Sequence, residues 1–253
     1  MKYLTVAETD IGIVKETNQD SVLVKHADSK YGEIVLTIIC DGMGGLSKGE
    51  LASATVIRRF SDWFEEEFPR ELENLDFEII AGKWSLMLKD LNVQIARYGD
   101  KHDVRLGTTF TALLIVDEDY LIGHVGDTRV YYMGSRLNQL TEDQTFIARE
   151  LKKGTITPEQ AKTDKRRNML LQCIGASQNV EPELTSGKCR KGAFLLCSDG
   201  FRHEISPREI FDNLNPEKLK DKNDMHKKLR TLIELNKERK EKDNISAILV
   251  KAF

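Results

Sequence analysis

Several features that would assign a function class are missing from this sequence. No apolar run approaches the roughly 20 residues that a membrane-spanning helix needs, and the start, MKYLTVAETDIG, has two early acids that do not suit a signal peptide. The formal net charge is −3, which gives no reason to expect nucleic acid or an anionic membrane as a partner. We therefore expect a cytoplasmic protein that binds neither nucleic acid nor membrane.

Cysteine is also scarce, with four residues in a chain of 253. The four show no CxxC spacing, and two of them lie in apolar runs, where a thiol is expected to pack in the core. They suggest no zinc ligand set, and a reducing compartment fits them best. The cysteines are Cys40, Cys173, Cys189 and Cys197.

The sequence also lacks a linker, a low-complexity tract and an internal repeat, so we expect one domain over residues 1–253. Short runs rich in β-branched residues predict strands, and the link VDED between 108–116 and 119–126 predicts an antiparallel hairpin. Helices fall between groups of strands, which favours an α+β fold of stacked antiparallel sheets over a doubly wound sheet. The predicted strands are 21–26, 34–40, 108–116, 119–126, 128–133, 193–198 and 245–253.

Two segments, 47–68 and 83–99, place apolar residues on one helical face. Their aromatic side chains are expected to pack in the core and not to bind a cofactor. Further helices are predicted near 143–153, 158–172, 206–213 and 216–239. The residues expected on the apolar faces are Val56, Ile57, Phe60, Trp63 and Phe64 in the first segment, Trp84, Met87, Leu88, Leu91, Ile95 and Tyr98 in the second, and Met225, Leu229, Leu232 and Ile233 in the last helix.

Five aspartates stand at the ends of predicted strands. Asp41, in IVLTIICDGMGG, Asp127 and Asp199 each follow an apolar run, whereas Asp20 and Asp243 come just before strands. Because antiparallel neighbours place the end of one strand beside the start of the next, the five can converge at one rim of a sheet. Any one of them alone also fits an ordinary turn, but five in matching positions favour a shared site.

Clustered carboxylates repel one another and raise one another's pKa, so such a cluster needs a compensating cation. Mg²⁺ and Mn²⁺ prefer oxygen ligands, and a glycine after an acid leaves the backbone carbonyl open to approach. Two ions that share one carboxylate can hold a bridging hydroxide at neutral pH, in position for in-line attack on phosphorus. The pattern therefore predicts a divalent-metal site suited to phosphoester hydrolysis.

The ordered set of motifs resembles the metal-dependent protein phosphatases of the protein phosphatase 2C type (PPM family), in their compact bacterial form. The resemblance implies an αββα sandwich, in which two antiparallel sheets lie between helix layers. It also implies a signalling serine/threonine phosphatase that hydrolyses phosphoserine and phosphothreonine without a phosphoenzyme. The matching segments, which span nearly the whole chain, are GIVKETNQD (12–20), DGMGG (41–45), GTT (107–109), GDTRVYY (126–132), LTEDQT (140–145), CSDG (197–200) and DNIS (243–246).

The resemblance assigns a role to each matching acid. Asp41 is similar to the carboxylate that bridges two Mn²⁺ or Mg²⁺ ions, and Gly42 to the residue whose carbonyl binds one of them. Asp199 and Asp243 resemble the remaining ligands of the first ion, and Asp20 resembles the residue near the second. Asp41, Asp199 and Asp243 are thus the expected catalytic set, and a water or hydroxide that bridges the metals would attack the phosphorus directly.

Four more residues take roles from the same resemblance. Asp127 is similar to the acid that, with Asp199, holds a third, weaker metal ion in bacterial relatives. Asn244 is expected to support the site from outside the metal ligands, and Thr108 and Thr109 to be structural. The partners implied are phosphorylated proteins, those of an opposing serine/threonine kinase, and the protein is expected to be a monomer.

This sequence departs from the family pattern at several places. Lys15 stands where an arginine is usual, so it would bind the substrate phosphate as a point charge, or else be a solvated surface lysine. Gln144 stands where histidine is usual, and Asp164 and Lys165 replace a frequent His-Pro pair within 154–175, which resembles the mobile flap and its following helix. None of the five histidines matches a catalytic histidine of the family.

These departures leave alternatives to an active phosphatase. One is a catalytically weak or silent relative that acts as a binding or regulatory module. Another is a different phosphoester hydrolase such as a nuclease, against which the near-neutral charge argues. A narrower possibility is a phosphatase dedicated to an anti-sigma-factor antagonist. The sequence names neither the substrate nor the opposing kinase.

Overall fold

The computed structural model describes residues 1–43 and 48–253. Gly44 and Gly45 of the DGMGG motif, and the first residue of the predicted helix 47–68, lie outside these ranges. In the described chain, ten strands form two antiparallel sheets of five, in the orders β1-β10-β9-β6-β7 and β2-β3-β4-β5-β8. The strands are β1 (Tyr3–Asp10), β2 (Ser21–Ser29), β3 (Gly32–Cys40), β4 (Phe110–Val116), β5 (Asp119–Val125), β6 (Arg129–Met133), β7 (Leu137–Gln139), β8 (Glu183–Lys188), β9 (Gly192–Cys197) and β10 (Ile245–Ala252).

All seven predicted strands are present, and β4 and β5 form the predicted hairpin. The sequence did not predict β1, β7 or β8. Each of the three lies at an edge of its sheet, and β7 and β8 contain no buried residue. An edge strand therefore carries polar residues and lacks the continuous apolar run that identifies a central strand.

Helices cover the outer face of both sheets. One apolar cluster lies between the β2-to-β8 sheet and α1 and α3, a second lies between the other sheet and α6 to α8, and a third lies between the sheets. The predicted αββα sandwich is therefore confirmed. The helices are α1 (Gly49–Asp62), α2 (Phe68–Glu71), α3 (Phe77–His102), α4 (Phe146–Lys152), α5 (Pro158–Thr163), α6 (Asp199–Arg202), α7 (Pro207–Leu214) and α8 (Lys222–Glu238).

The predicted helix boundaries need three corrections. The segment 158–172 is helical only as far as Thr163, because the Asp164 carboxylate accepts hydrogen bonds from the backbone and guanidinium of Arg166 and turns the chain. The segment 216–239 begins with one 3-10 turn, and α8 starts only where the Asp221 side chain accepts the Asp224 N–H. A π-helical turn follows α1 over Trp63–Glu67.

The aromatic side chains of α1 and α3 form the centre of the first apolar cluster, as predicted. Phe60 and Trp84 are fully buried with ring centroids 5.5 Å apart, and Trp63 meets Trp84 edge-to-face at 5.6 Å. Tyr98, however, lies partly in solvent at 38% exposure, where it packs on His102. Its predicted place on the apolar face is wrong, because the buried side of α3 continues from Ile95 to Gly99 and leaves Tyr98 beside it. Across the described ranges, no helix is long and apolar enough to cross a membrane.

Gly123 on β5 makes room for this aromatic cluster. A Cβ at Gly123 would lie 2.8 Å from Cε3 of Trp84 and 3.2 Å from Cε1 of Phe110. We expect Gly123→Ala to destabilise the protein by about 1–3 kcal/mol, since the packed rings must shift. Thermal unfolding followed by circular dichroism would measure this change.

Gly82→Ala is the matched control for that experiment. Gly82 lies in α3, and no atom lies within 4 Å of the position that a Cβ would take there, so alanine should leave stability unchanged or raise it by about 0.5–1 kcal/mol. An unfolding temperature for Gly123→Ala at or above that of Gly82→Ala would contradict the packing account.

Candidate metal centre

Strands β2 and β3 bring two of the predicted acids together. Ser21 pairs with Cys40 at the end of the ladder, so Asp20 and Asp41 stand one residue beyond it on adjacent strands. β3 is buried along nearly its whole length, and Asp41 follows it at the edge of the sandwich. The register of one hairpin therefore places both carboxyl groups at one end of this sheet.

The other sheet supplies three acids at the same end. Cys197 of β9 pairs with Arg129 of β6 on one side and with Ala247 of β10 on the other. Continuing the first register by two residues places Asp127 beside Asp199. Asp243 precedes β10 by two residues, and Gln19 of the first group donates its N–H to the Asn244 side chain next to it, at 2.9 Å. The two groups of acids thus face each other across the mouth of the sandwich.

The backbone around Asp41 is held by the two threonines that were expected to be structural. The Asp41 N–H donates to Oγ1 of Thr109, and the Asp41 carbonyl accepts from Thr109 N and from Oγ1 of Thr108, all at 2.9–3.0 Å. Gly42 fits a tight space, because a Cβ there would lie 2.5 Å from the carbonyl oxygen of Gln19. These contacts fix the backbone that carries the Asp41 side chain. A residue larger than glycine does not fit at position 42.

Burial and crowding change the proton affinity of the acids. Burial raises the pKa of Asp41 well above its ordinary value, and the charges of Asp20, Asp199, Asp127 and Asp243 raise it further. Burial likewise raises the pKa of Asp20 to about 7, with the charges of Asp199 and Asp243 contributing. The pKa of Asp127 also rises to about 7, through burial and the charge of Asp199. The Asp41 carboxyl group therefore lies within reach of the charges of all four other predicted acids.

The oxygens of this cluster suit a hard divalent cation. Within the described structure, both carboxylate oxygens of Asp20 and Oδ1 of Asp199 are buried without a hydrogen-bond partner. Buried carboxylate oxygens are costly unless a cation or a donor satisfies them, and Mg²⁺ and Mn²⁺ prefer this ligand type. No group of three or more His, Cys, Asp or Glu side chains in the described ranges already stands in position to hold an ion, so the ligands would have to draw closer around it.

Lys15 lies at this centre and not on the open surface. Its Nζ is 2.9 Å from Oδ1 of Asp243, and its side chain is 26% exposed. Burial lowers the pKa of Lys15, but the ion pair with Asp243 and the charges of Asp41 and Asp199 outweigh burial, so the net pKa is raised. The lysine therefore stays protonated beside the acids, as a positive charge next to the space between them.

The Asn244 side chain connects the start of β10 to the loop between β1 and β2. Its Oδ1 accepts the Gln19 N–H, and its Nδ2 donates to the carbonyls of Ile11 at 2.9 Å and Thr17 at 3.2 Å. All three bonds hold the loop that carries Lys15 and Asp20 against the segment that carries Asp243 and leads into β10. The Asn244 side chain is thus fully occupied with backbone partners.

Two residues at the centre were not predicted from the sequence. His203 lies 3.5 Å from Asp199 through Nε2 and 3.4 Å from Glu241 through Nδ1. Burial lowers the pKa of His203, but the hydrogen bond to Glu241 and the charge of Asp199 outweigh it and the net pKa is raised. Glu241 also accepts the Asp243 N–H at 2.9 Å. The spacing of four residues from Asp199 along α6 was the available signal for His203, whereas Glu241 has no sequence signal.

Gln144, which stands where the family has histidine, is a structural junction. Its Oε1 accepts from the Gly126 N–H and from Nε2 of Gln172, and its own N–H donates to the Gly126 carbonyl, at 2.7–2.8 Å. Its carbonyl accepts from Leu171. These bonds hold the turn before Asp127 against Leu171 and Gln172, near the end of the segment 154–175. The departure at Gln144 therefore has a role in the fold of this chain.

Comparisons with known proteins agree with this architecture. The family model for protein phosphatase 2C matches residues 13–250. The serine/threonine protein phosphatase PstP of Mycobacterium tuberculosis is 33% identical over 211 residues, covering 82% of this chain and 38% of the relative. This chain thus spans well under half the length of that relative.

Two solved structures show the same fold. The S. agalactiae serine/threonine phosphatase superposes with a TM-score of 0.86 at 29% identity, and the match covers 100% of both chains. The catalytic domain of PstP, solved in complex with two manganese ions, superposes with a TM-score of 0.79 at 28% identity over 98% of this chain and 97% of that one.

The raised pKa of Asp20 predicts how stability without metal depends on pH. A carboxyl group whose pKa is raised in the folded state binds more protons there than in the unfolded chain, so stability falls as pH rises from about 4 through about 7. In EDTA, we expect Asp20→Asn to stabilise the protein by about 1–3 kcal/mol at pH 8 and to change little at pH 5. Thermal unfolding at the two pH values measures the difference.

The exposed Asp100 on α3 provides the control, because Asp100→Asn should give the same small change at both pH values. Mn²⁺ should raise the unfolding temperature of the wild type more than that of Asp20→Asn. A variant Asp20→Asn that is less stable than the wild type in EDTA at pH 8 would contradict the account of crowded, buried charge.

Proposed function

This chain belongs to the protein phosphatase 2C family, and from that premise we propose that it is a serine/threonine protein phosphatase that hydrolyses phosphoserine and phosphothreonine on other proteins. The observation that carries the proposal is the convergence of Asp20, Asp41, Asp127, Asp199 and Asp243, since burial and the neighbouring carboxylates raise the pKa of Asp20, Asp41 and Asp127. Such a cluster is unfavourable in itself and becomes favourable around divalent cations.

Two Mn²⁺ or Mg²⁺ ions are the proposed cofactors. Asp41 would bridge them, the Gly42 carbonyl would bind one, Asp199 and Asp243 would complete the ligands of the first, and Asp20 would lie near the second. When bound, the ions would lower the pKa of a shared water so that it attacks the phosphorus directly, with no phosphoenzyme. The two manganese ions in the related PstP catalytic domain support this assignment.

Asp127 and Asp199 are the proposed holders of a third, weaker ion. Their adjacent positions just beyond the paired ends of β6 and β9 and the raised pKa of Asp127 support this role. Arg202 donates to the Asp127 carbonyl at 2.9 Å and approaches its carboxylate at 3.6 Å. The guanidinium therefore offsets part of the charge at this position, which agrees with weaker cation binding there.

The residues around the acids have separate proposed tasks. Lys15 would bind the substrate phosphate, since its ammonium lies beside Asp243 and points its charge at the space between the acids. Asn244 would hold the Lys15 loop and the Asp243 strand together through its backbone bonds. His203 would orient Asp199, being itself held by Glu241.

The proposed substrates are phosphorylated proteins made by an opposing serine/threonine kinase in the cytoplasm, and the working unit is a monomeric catalytic domain over residues 1–253. The alternative of a silent binding module is not favoured, because all five metal carboxylates are retained. The departure at Gln144, which motivated that alternative, serves as a structural junction.

Hydrolysis of p-nitrophenyl phosphate and of a phosphothreonine peptide tests the proposed activity. We expect turnover that requires Mn²⁺ or Mg²⁺, disappears in EDTA and falls at least about 100-fold in Asp199→Asn, because a metal ligand contributes several kcal/mol to the transition state. Asp212→Asn, at an exposed acid on α7, is the control. Calorimetric binding of Mn²⁺ without turnover of either substrate would reject the active enzyme.

Lys15 should act on substrate binding more than on the chemical step. We expect Lys15→Met to raise KM for the phosphothreonine peptide about 10-fold or more, since a charge-assisted hydrogen bond contributes roughly 1.5–3 kcal/mol. Lys15→Arg should keep KM near the wild-type value or lower it, because its fork can make two bonds to phosphate. An unchanged KM in Lys15→Met would show that the lysine does not bind the phosphate.

A further inference from the structure

A cavity of about 430 Å³ opens directly beside the carboxylate centre. Asp127 and His203, which belong to that centre, form part of its wall. The rest of the wall comes from β6, the loop before α4, α4 itself and residues 167–168. The cavity thus continues from the site of the proposed reaction toward the segment 154–175.

Three of the four basic side chains in this wall already have acidic partners. Arg129 donates to both oxygens of Asp143, at 2.7 Å and 2.6 Å. Lys152 donates to both oxygens of Glu142 at 2.8 Å. These pairs leave Asp143 and Glu142 neutralised, so neither acid repels an anion strongly.

Arg202 is the third, since it donates to the Asp127 carbonyl at 2.9 Å and lies 3.6 Å and 3.7 Å from the carboxylates of Asp127 and Asp143. The Arg202 side chain is only 12% exposed, and its Nε is buried without a hydrogen-bond acceptor in the described structure. Arg167 is exposed, and its guanidinium makes no ion pair with any residue in the described ranges. Arg167 is therefore the basic side chain of this wall that, within the described structure, is available to pair with an anion entering the cavity.

The charges of the wall also favour an anion. Four side chains are cationic, against the three carboxylates of Asp127, Glu142 and Asp143. Since Asp127 is a proposed metal ligand, bound cations would make the neighbourhood more positive still. An acidic group that entered the cavity would therefore meet the unpaired guanidinium of Arg167, the remaining donors of Arg202 and a favourable potential.

We propose that this cavity is a subsite for an anionic side chain of the phosphoprotein substrate, close in sequence to the phosphoserine or phosphothreonine. The inference rests on the proposed phosphatase function and adds a substrate preference to it. An extended chain covers roughly 3.3–3.6 Å per residue, so the acidic residue would lie within about three residues of the phosphorylated one. Its carboxylate or phosphate would accept from Arg167 and Arg202.

A set of phosphothreonine peptides tests the subsite. One glutamate is moved through positions −3 to +3 around the phosphothreonine, with glutamine at all other positions, and an all-glutamine peptide is the reference. We expect one or two positions to raise kcat/KM about 3- to 10-fold, as charge-assisted pairs with partly buried arginine do. Binding of a peptide with phosphoserine at the best position to Asp199→Asn, in which turnover is lost, distinguishes a phosphate from a carboxylate as the preferred anion.

Arg167→Gln should reduce the ratio between the best glutamate peptide and the reference toward one. Arg167→Lys should keep part of the preference, because its charge remains. Arg58→Gln, at an exposed arginine on α1 outside the cavity wall, should keep the full wild-type ratio. A ratio that stays the same in Arg167→Gln would overturn the assignment of this cavity.

Peptide binding to Asp199→Asn, followed by fluorescence anisotropy, separates this inference from the proposed activity. Tighter binding of the glutamate peptide than of the reference supports the subsite, whether or not the wild type turns the peptides over. Turnover of all peptides with equal kcat/KM and equal affinity leaves the phosphatase in place and overturns the subsite. Absence of both turnover and binding rejects both proposals.

Discussion

The mutual repulsion of buried carboxylates is the constraint on which the rest of this structure depends. Five acids lie at one end of the sandwich, and Asp41 is affected by the charges of the other four. A flexible chain would relieve this repulsion by moving the acids apart. Here each acid is attached to the end of a strand in a packed sheet, so the backbone cannot yield without breaking a ladder or a core. The fold therefore keeps in place an arrangement that the acids alone would not adopt.

The neighbouring residues distribute that stress over several contacts. Thr108 and Thr109 hold the Asp41 backbone, Asn244 ties two loops together, and Glu241 accepts the Asp243 N–H. None of these bonds offsets the negative charge of the acids. Lys15, Arg202 and a bound cation would offset that charge. Positioning and charge compensation are thus assigned to different side chains, and a substitution in one set is expected to leave the other largely intact.

Much of this arrangement could be predicted from the sequence, because it follows from strand periodicity. The central strands appear as apolar runs with an acid just before or after them. Antiparallel pairing brings these acids to one end of the sheets. The edge strands β7 and β8 escaped prediction because they contain no buried residue, and β1 because polar residues interrupt its apolar run. Asp164 ended a predicted helix through a side-chain bond that no periodicity shows. Glu241 and Gln144 act through backbone groups or through residues distant in sequence, and such contacts appear only after folding.

The two groups of acids come from different sheets, and this division has a consequence for the life of the protein in the cell. Asp20 and Asp41 belong to one layer, and Asp127, Asp199 and Asp243 to the other, so an ion bound between them would fasten the layers together at their open end. Ligands that bind only the folded state lower the fraction of unfolded chains. A shortage of divalent metal would then expose more unfolded chains to proteases and shorten the lifetime of this protein. The supply of metal would thus affect the abundance of the protein as well as the rate of the proposed reaction.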